Sequence, residues 1–144
     1  MKSDTFSLNM YRDILEKAKK FGYRFPRLSD YRDWIDKYQR FLLVRHDVDI
    51  SPLNAAKMAE IEHSIGISTT YCLRVHSIFY NVSAPPFYDA IRDIVEMGHE
   101  IGLHYDAAFY DKAGMAFSKG IKAEAGYLEA LFGIKVRTVS QHKP

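Results

Sequence analysis

The chain predicts an α/β protein built on a parallel sheet, and three observations carry that prediction. From about residue 41 onward, apolar runs of strand length alternate with amphipathic runs of helix length, which is the pattern of successive strand-helix units. Glycines at 66, 98 and 133 close successive helical runs, one strand-helix unit apart. All four apolar runs lead into residues able to bind or catalyse. Right-handed crossovers make such strands parallel, so their carboxyl ends share one side of the sheet, where α/β enzymes place their chemistry.

The elements follow in order. Leu8, Tyr11, Ile14, Leu15, Ala18 and Phe21 recur at helical spacing before Gly22, which predicts an amphipathic opening helix packed outside the sheet. Residues 23–40 have a weak pattern with Pro26 and mixed charge, read as a loop plus a short helix from Asp30 to Tyr38. Phe41-Leu42-Leu43-Val44 reads as strand one. Ser51 is placed to cap a helix with Pro52 at its first position, running to Gly66. Ile67 to Val75 reads as strand two, Phe87 to Met97 as a helix stopped by Gly98, and His99 to Leu103 as strand three. Ser118 to Phe132 reads as a helix stopped by Gly133, and Ile134 to Val139 as strand four. The strand ends then present His46, Asp47 and Asp49; Arg74 and His76; His104 and Asp106; and Gln141 and His142.

At 144 residues the chain suits one domain with a real core. Its 47% hydrophobic and 26% charged content is that of a globular protein rather than a disordered one. A net charge of +2 provides no field to attract nucleic acid. Lys17, Lys19 and Lys20 read as a solvated helix face. Residues 1–10 hold no continuous apolar core, so neither a signal peptide nor a membrane span is expected. The single Cys72 cannot form an internal disulfide, which makes the cytoplasm the expected compartment. Cys72 reads as a buried structural thiol, His63 as a surface residue near a helix end, and Arg45 as a local ion-pair partner of Asp47 or Asp49.

Asp47 and Asp49 are the most informative pair. Two carboxylates two residues apart suit divalent-metal binding combined with general-base work, because one oxygen ligates while the other carboxylate takes a proton from water. An Asp-rich turn is the plain alternative.

Three segments resemble the metal-dependent polysaccharide deacetylases (NodB homology, carbohydrate esterase family 4), especially a branch associated with O-antigen and capsule gene clusters. Arg45-His46-Asp47-Val48-Asp49 is similar to that family's first motif and Gly98-His99-Glu100-Ile101-Gly102-Leu103-His104 to its second, and Val139-Ser140-Gln141-His142-Lys143-Pro144 occupies the place of its third. The resemblance implies part of a (β/α) barrel, with residues 1–40 as a helical extension and 41–144 as its first four strand-helix units. A whole barrel needs roughly 200 residues or more, so a truncated chain is expected. The two open sheet edges and an uncovered apolar face would then favour homo-oligomers.

By the same resemblance, Asp47 is the general base, while Asp49 and His104 ligate a divalent ion, zinc first and iron, nickel or cobalt as alternatives. The family's second histidine falls on Ala108. Asp106 or His142 could supply the third ligand, and His142 is preferred. His99 opens strand three at the wrong end for the site and reads as structural. His46, Arg74, His76 and Asp106 are candidates for contacting an acetylated amino sugar or polysaccharide precursor. The implied reaction is hydrolysis of an N-acetyl group in surface-polysaccharide biosynthesis. The alternatives are a non-catalytic carbohydrate-binding or assembly module of the same fold, and another metal hydrolase or phosphosugar enzyme, since fold does not determine reaction.

Overall fold

The structure is a computed structural model describing residues 7–37 and 39–143. Residues 1–6 of the expected leader-free start, Tyr38 at the end of the expected short helix, and Pro144 at the end of the third motif lie outside the described residues. Four strands, β1 (Arg45–Val48), β2 (Thr70–Leu73), β3 (Glu100–Tyr105) and β4 (Val139–Gln141), pair in chain order and all in parallel. The sheet curls as a half-barrel. The helices are α1 (Leu8–Lys20), α2 (Tyr31–Ile35), α3 (Pro52–Ser64), α4 (Phe87–Glu96), α5 (Ala107–Lys112) and α6 (Phe117–Phe132). No described helix is long and apolar enough to cross a membrane.

Local chemistry sets these boundaries. Ser51 accepts a hydrogen bond from the Asn54 amide and Pro52 opens α3, as expected. Gly133 ends α6 at φ 67°, a left-handed conformation that costs glycine little. Ser7 caps α1, whose Tyr11 and Leu15 pack with Ile67 on the outer side of α3. Lys17, Lys19 and Lys20 occupy its last turn, where cations complement the helix dipole.

Register divides the sheet into two unlike faces, because successive side chains alternate. Tyr71, Leu73, Ile101 and Leu103 point to one face and form the main core with Ile91 and Ile94 of α4 and Leu128 and Phe132 of α6. Asp47, Cys72 and Gly102 are register partners on the other face, and His104 and Ser140 pair beside them. Glu100 lies on that face too, accepting hydrogen bonds from Thr70, Thr138 and the Ser29 amide. The face expected to be uncovered and apolar is therefore polar, and residues of the turn at 28–30 lie against part of it. A side chain at Gly102 would meet Cys72 Sγ at 2.8 Å and the Thr138 carbonyl at 3.0 Å, so glycine there permits the close curl.

Four strand boundaries differ from expectation. Phe41 to Val44 is not strand one. It is an extended approach joined to Arg24 by one bridge, and the ladder begins at Arg45. Ile134 and Val136 likewise pack on the core before pairing starts at Val139. Strands two and three are Thr70–Leu73 and Glu100–Tyr105 rather than Ile67–Val75 and His99–Leu103. In each case apolar residues also line the approach to the sheet, so hydrophobicity extends beyond, or stops short of, the hydrogen-bonded ladder. The region expected to hold one short helix contains a 3₁₀ turn at Leu28–Asp30 followed by α2. Helix α5 was not expected; its signal is Asp106, which caps the Ala108 and Phe109 amides.

Candidate metal centre

Asp49, His104 and His142 meet at the carboxyl end of the sheet, each offering a ligand atom within 4.8 Å of the others. Asp49 immediately follows β1, in a turn whose amide donates to the Asp47 carbonyl (3.2 Å). Tyr80 fixes this turn by donating its hydroxyl to the Val48 carbonyl (2.6 Å) while accepting from the Arg74 amide (3.0 Å). His104 lies within β3, and His142 follows β4, with its amide on the Tyr105 carbonyl (2.8 Å). Asp49 Oδ1 is 3.1 Å from His142 Nδ1 and 3.5 Å from His104 Nε2. Even so, this buried oxygen has no hydrogen bond of regular geometry. A buried carboxylate oxygen normally finds a donor. One left bare between two imidazole nitrogens fits a cation, and the N, N, O donor set suits zinc and related ions.

The neighbouring groups orient the ligands. Ser140 Oγ donates to Asp47 Oδ1 (3.0 Å) and lies 2.7 Å from His104 Nδ1. The serine proton is thus committed to Asp47, so Nδ1 of His104 carries hydrogen and donates to Ser140. That tautomer leaves the Nε2 lone pair facing Asp49, the usual arrangement by which a second residue prepares a metal-binding histidine. Burial holds His104 below the ordinary imidazole value, with Asp47 and Asp49 opposing it. Asp47 Oδ2 pairs with Arg45 Nη2 (3.0 Å), the local ion pair expected. An open groove of about 560 Å³ along the free edge of β1 is lined by Asp47, Asp49, Asn54 and Met58, among others.

The other candidates are distributed around this centre. Arg74 bridges to it, 3.9 Å from Asp49 Oδ1 and 3.0 Å from Asp106 Oδ2. Asp106 is committed to Arg74 and to capping α5, and it is not among the three ligands. Ala108 lies in the first turn of α5. His76 pairs with Glu124 of α6. His46 alternates away from Asp47 to the helix-covered face, where it stacks on Tyr71 and contacts Glu62. His99 is buried and structural, accepting from the Thr69 amide at Nδ1 and donating from Nε2 to the Ala59 carbonyl. His63 bonds the Met97 carbonyl near the end of α3. Cys72 is fully buried, and burial pushes its thiol up to about 11, as suits a structural thiol.

Sequence reasoning gave no role to Ser140, Glu62 or Glu124. Ser140 was visible only as the residue two before His142. Nothing in the sequence marks Glu62 and Glu124, both on helices, as buried. No family model, curated protein or solved structure matches this chain.

Proposed function

We propose that this protein is a metal-dependent hydrolase that removes an N-acetyl group from a sugar or polysaccharide precursor, with its half-barrel being that of a polysaccharide deacetylase. The observation that carries the reading is the bare, buried Asp49 Oδ1 between His104 and His142, with Asp47 on the same face beside it. Asp49, His104 and His142 would hold the ion. When bound, a divalent ion supplies Lewis acidity toward a carbonyl and lowers the pKa of water. Asp47 takes a proton from the attacking water as its oxygen adds to the acetamide carbon. Arg45 and Ser140 keep the Asp47 carboxylate oriented for that transfer. The groove along β1 gives a sugar access to both aspartates.

The test is metal content by elemental analysis after incubation with zinc, cobalt or nickel, joined to acetate release from N,N′-diacetylchitobiose. About one ion per chain is expected in the wild type, and none in Asp49→Ala or His104→Ala variants whose circular dichroism is unchanged. Failure to bind any of the three ions overturns the reading. Metal binding without acetate release from this or longer N-acetylated oligosaccharides transfers it to a non-catalytic sugar-binding module.

A further inference from the structure

We propose that the outer stripe of α1, together with a basic cup at the amino ends of the strands, forms a surface that docks on an anionic lipid bilayer. The proposal does not depend on the deacetylase reading, because the metal centre lies at the other end of the sheet.

Charge distribution is the first argument. The net charge of +2 is not spread evenly: residues 17–40 hold eight Lys and Arg against three Asp and no Glu, so this stretch carries +5 and the rest of the chain −3. The fold gathers these cations. The Arg24 amide donates to the Arg40 carbonyl (3.1 Å) and Arg40 Nη1 to the Phe21 carbonyl (3.2 Å), which draws the end of α1 onto the approach to β1. The open cup so formed, about 400 Å³, is lined among the described residues by Phe21, Gly22, Arg24, Lys37, Gln39 and Arg40, three cations and no acid. Of the three aspartates, Asp30 is paired with Arg27 (2.8 Å).

An uncovered apolar stripe is the second argument. Met10, Ile14, Lys17 and Phe21 follow one another at intervals of four, three and four residues, so they share one side of α1. Met10 is 44% exposed, Ile14 46% and Phe21 67%, whereas Tyr11 and Leu15 are buried with Ile67. The apolar arc of α1 is therefore wider than the seam it buries. A helix of this kind, apolar on one side with lysines beside it, lies in the interface of a bilayer, its apolar side chains at the acyl boundary and its cations at the headgroup phosphates. Lys17 and Lys20 reach those phosphates by extending their stems past the apolar stripe. Phe21 also lines the cup, so the stripe and the cations form one surface.

The combination decides the partner. A second copy docking two-fold through this surface would set cations against cations. Nucleic acid would meet the cations but gain nothing from Met10 and Ile14, because its outer surface is phosphate. An anionic bilayer satisfies both features, offering negative charge at its surface and hydrocarbon just beneath. Gly22 and Arg24 also adjoin Gly66 and Ile67, which precede β2, so the surface lies at the amino end of the sheet. Docking there leaves Asp49, His104 and His142 uncovered at the carboxyl end.

The test is co-sedimentation with extruded vesicles of equal parts phosphatidylcholine and phosphatidylglycerol, with phosphatidylcholine alone as the control. Wild type is expected to sediment with the mixed vesicles and not with phosphatidylcholine, and to be released as salt rises from about 0.05 to about 0.5 M. The triple variant Lys17→Gln, Lys20→Gln, Lys37→Gln is expected to bind about 100-fold more weakly, and the double variant Ile14→Ser, Phe21→Ser about 10-fold more weakly, with circular dichroism unchanged in both. Lys112→Gln, Lys119→Gln, Lys122→Gln removes the same charge from exposed positions on α5 and α6, and is expected to change binding less than about 5-fold. Equal losses in the two lysine triples would mean that net charge alone attracts the chain, and would overturn the proposal. So would no sedimentation with the mixed vesicles, duplex DNA bound at least as tightly as the vesicles, or a dimer in analytical ultracentrifugation that the Ile14→Ser, Phe21→Ser variant disperses. None of these results bears on zinc binding or acetate release, so the deacetylase reading stands or falls separately.

Discussion

Two carboxylate–histidine centres lie on opposite faces of one small sheet, and they differ in how fully the carboxylate oxygens are hydrogen-bonded. Glu62 is fully buried, and every one of its lone-pair directions is used. Oε1 meets His46 Nε2 (2.6 Å) and the Tyr11 hydroxyl, while Oε2 accepts from Tyr71 (2.6 Å) and Thr69 (2.7 Å). Burial raises this carboxyl, but its donors, His46 first, outweigh burial and hold it below its usual range. Asp49, more exposed, has a buried oxygen facing two histidines with no hydrogen bond of regular geometry. The same residue types serve as an internal tie where every lone pair is satisfied, and as a ligand set where one is left bare.

Substitution separates the two roles most sharply. Glu62→Leu strands four donors from α1, β1, β2 and the turn after α3, and is expected to cost about 3–5 kcal/mol of folding stability. Asp49→Ala in the metal-free chain is expected to change stability by no more than about 0.5 kcal/mol, while abolishing the stabilisation zinc confers on the wild type. Urea unfolding with and without zinc measures both. The comparison breaks if Asp49→Ala proves the more destabilising in the absence of metal, or if zinc still stabilises it.

These two centres were not equally legible in the sequence. Asp49, His104 and His142 could be found because each sits at or just beyond a strand end, and parallel strands bring such ends together. The α3 stop at Gly66, the Ser51 cap and the parallel direction of the strands were visible for similar local reasons. Glu62 was hidden because its burial depends on Tyr11, 51 positions away, packing across α3. His46 lines the groove along β1 as well as meeting Glu62, and its contact with Glu62 could not be read because its direction is set by the ladder, which begins at Arg45 and not at Phe41. A shift of the ladder start changes which residues project together to one face. The polar second face was missed for the same reason, since Thr70, Glu100 and Thr138 become partners only through pairing.

A smaller effect tests whether the ligands are prepared by their neighbours. Ser140→Ala removes the hydroxyl that accepts from His104 Nδ1 and donates to Asp47. Zinc affinity is expected to fall about 10- to 100-fold by competition titration, alongside about 1–2 kcal/mol of stability for the buried imidazole N–H left unpaired. Thr69→Val, which removes a donor to Glu62, is expected to cost a similar amount, about 1–2 kcal/mol of stability, while leaving zinc affinity as it was. If both substitutions weaken zinc binding equally, the two centres are coupled through the sheet and the contrast between them fails.

The smallest effect is acid sensitivity of the metal-free fold, which belongs mainly to the satisfied face. His99 is held below its ordinary value of 6.5 by burial, which Glu62 only partly offsets, and Glu62 itself is held below 4.5. A depressed folded pKa means that the unfolded chain binds the proton more readily. Stability from these groups is therefore complete above the unfolded values and is lost as pH falls through the folded ones. The His99 contribution is expected to decline below about pH 6.5 and that of Glu62 below about 4.5, each with a slope of at most about 1.4 kcal/mol per pH unit. His104 adds to the upper limb, so the decisive quantity is the difference between wild type and His99→Gln. Glutamine can accept from the Thr69 amide and donate to the Ala59 carbonyl without taking up a proton in this range. Urea unfolding from pH 7.5 to 4 is expected to show a shallower upper limb in His99→Gln and an unchanged lower one. Identical curves would mean that His99 carries no depressed titration, and that the Glu62 centre resists acid through the carboxylate alone.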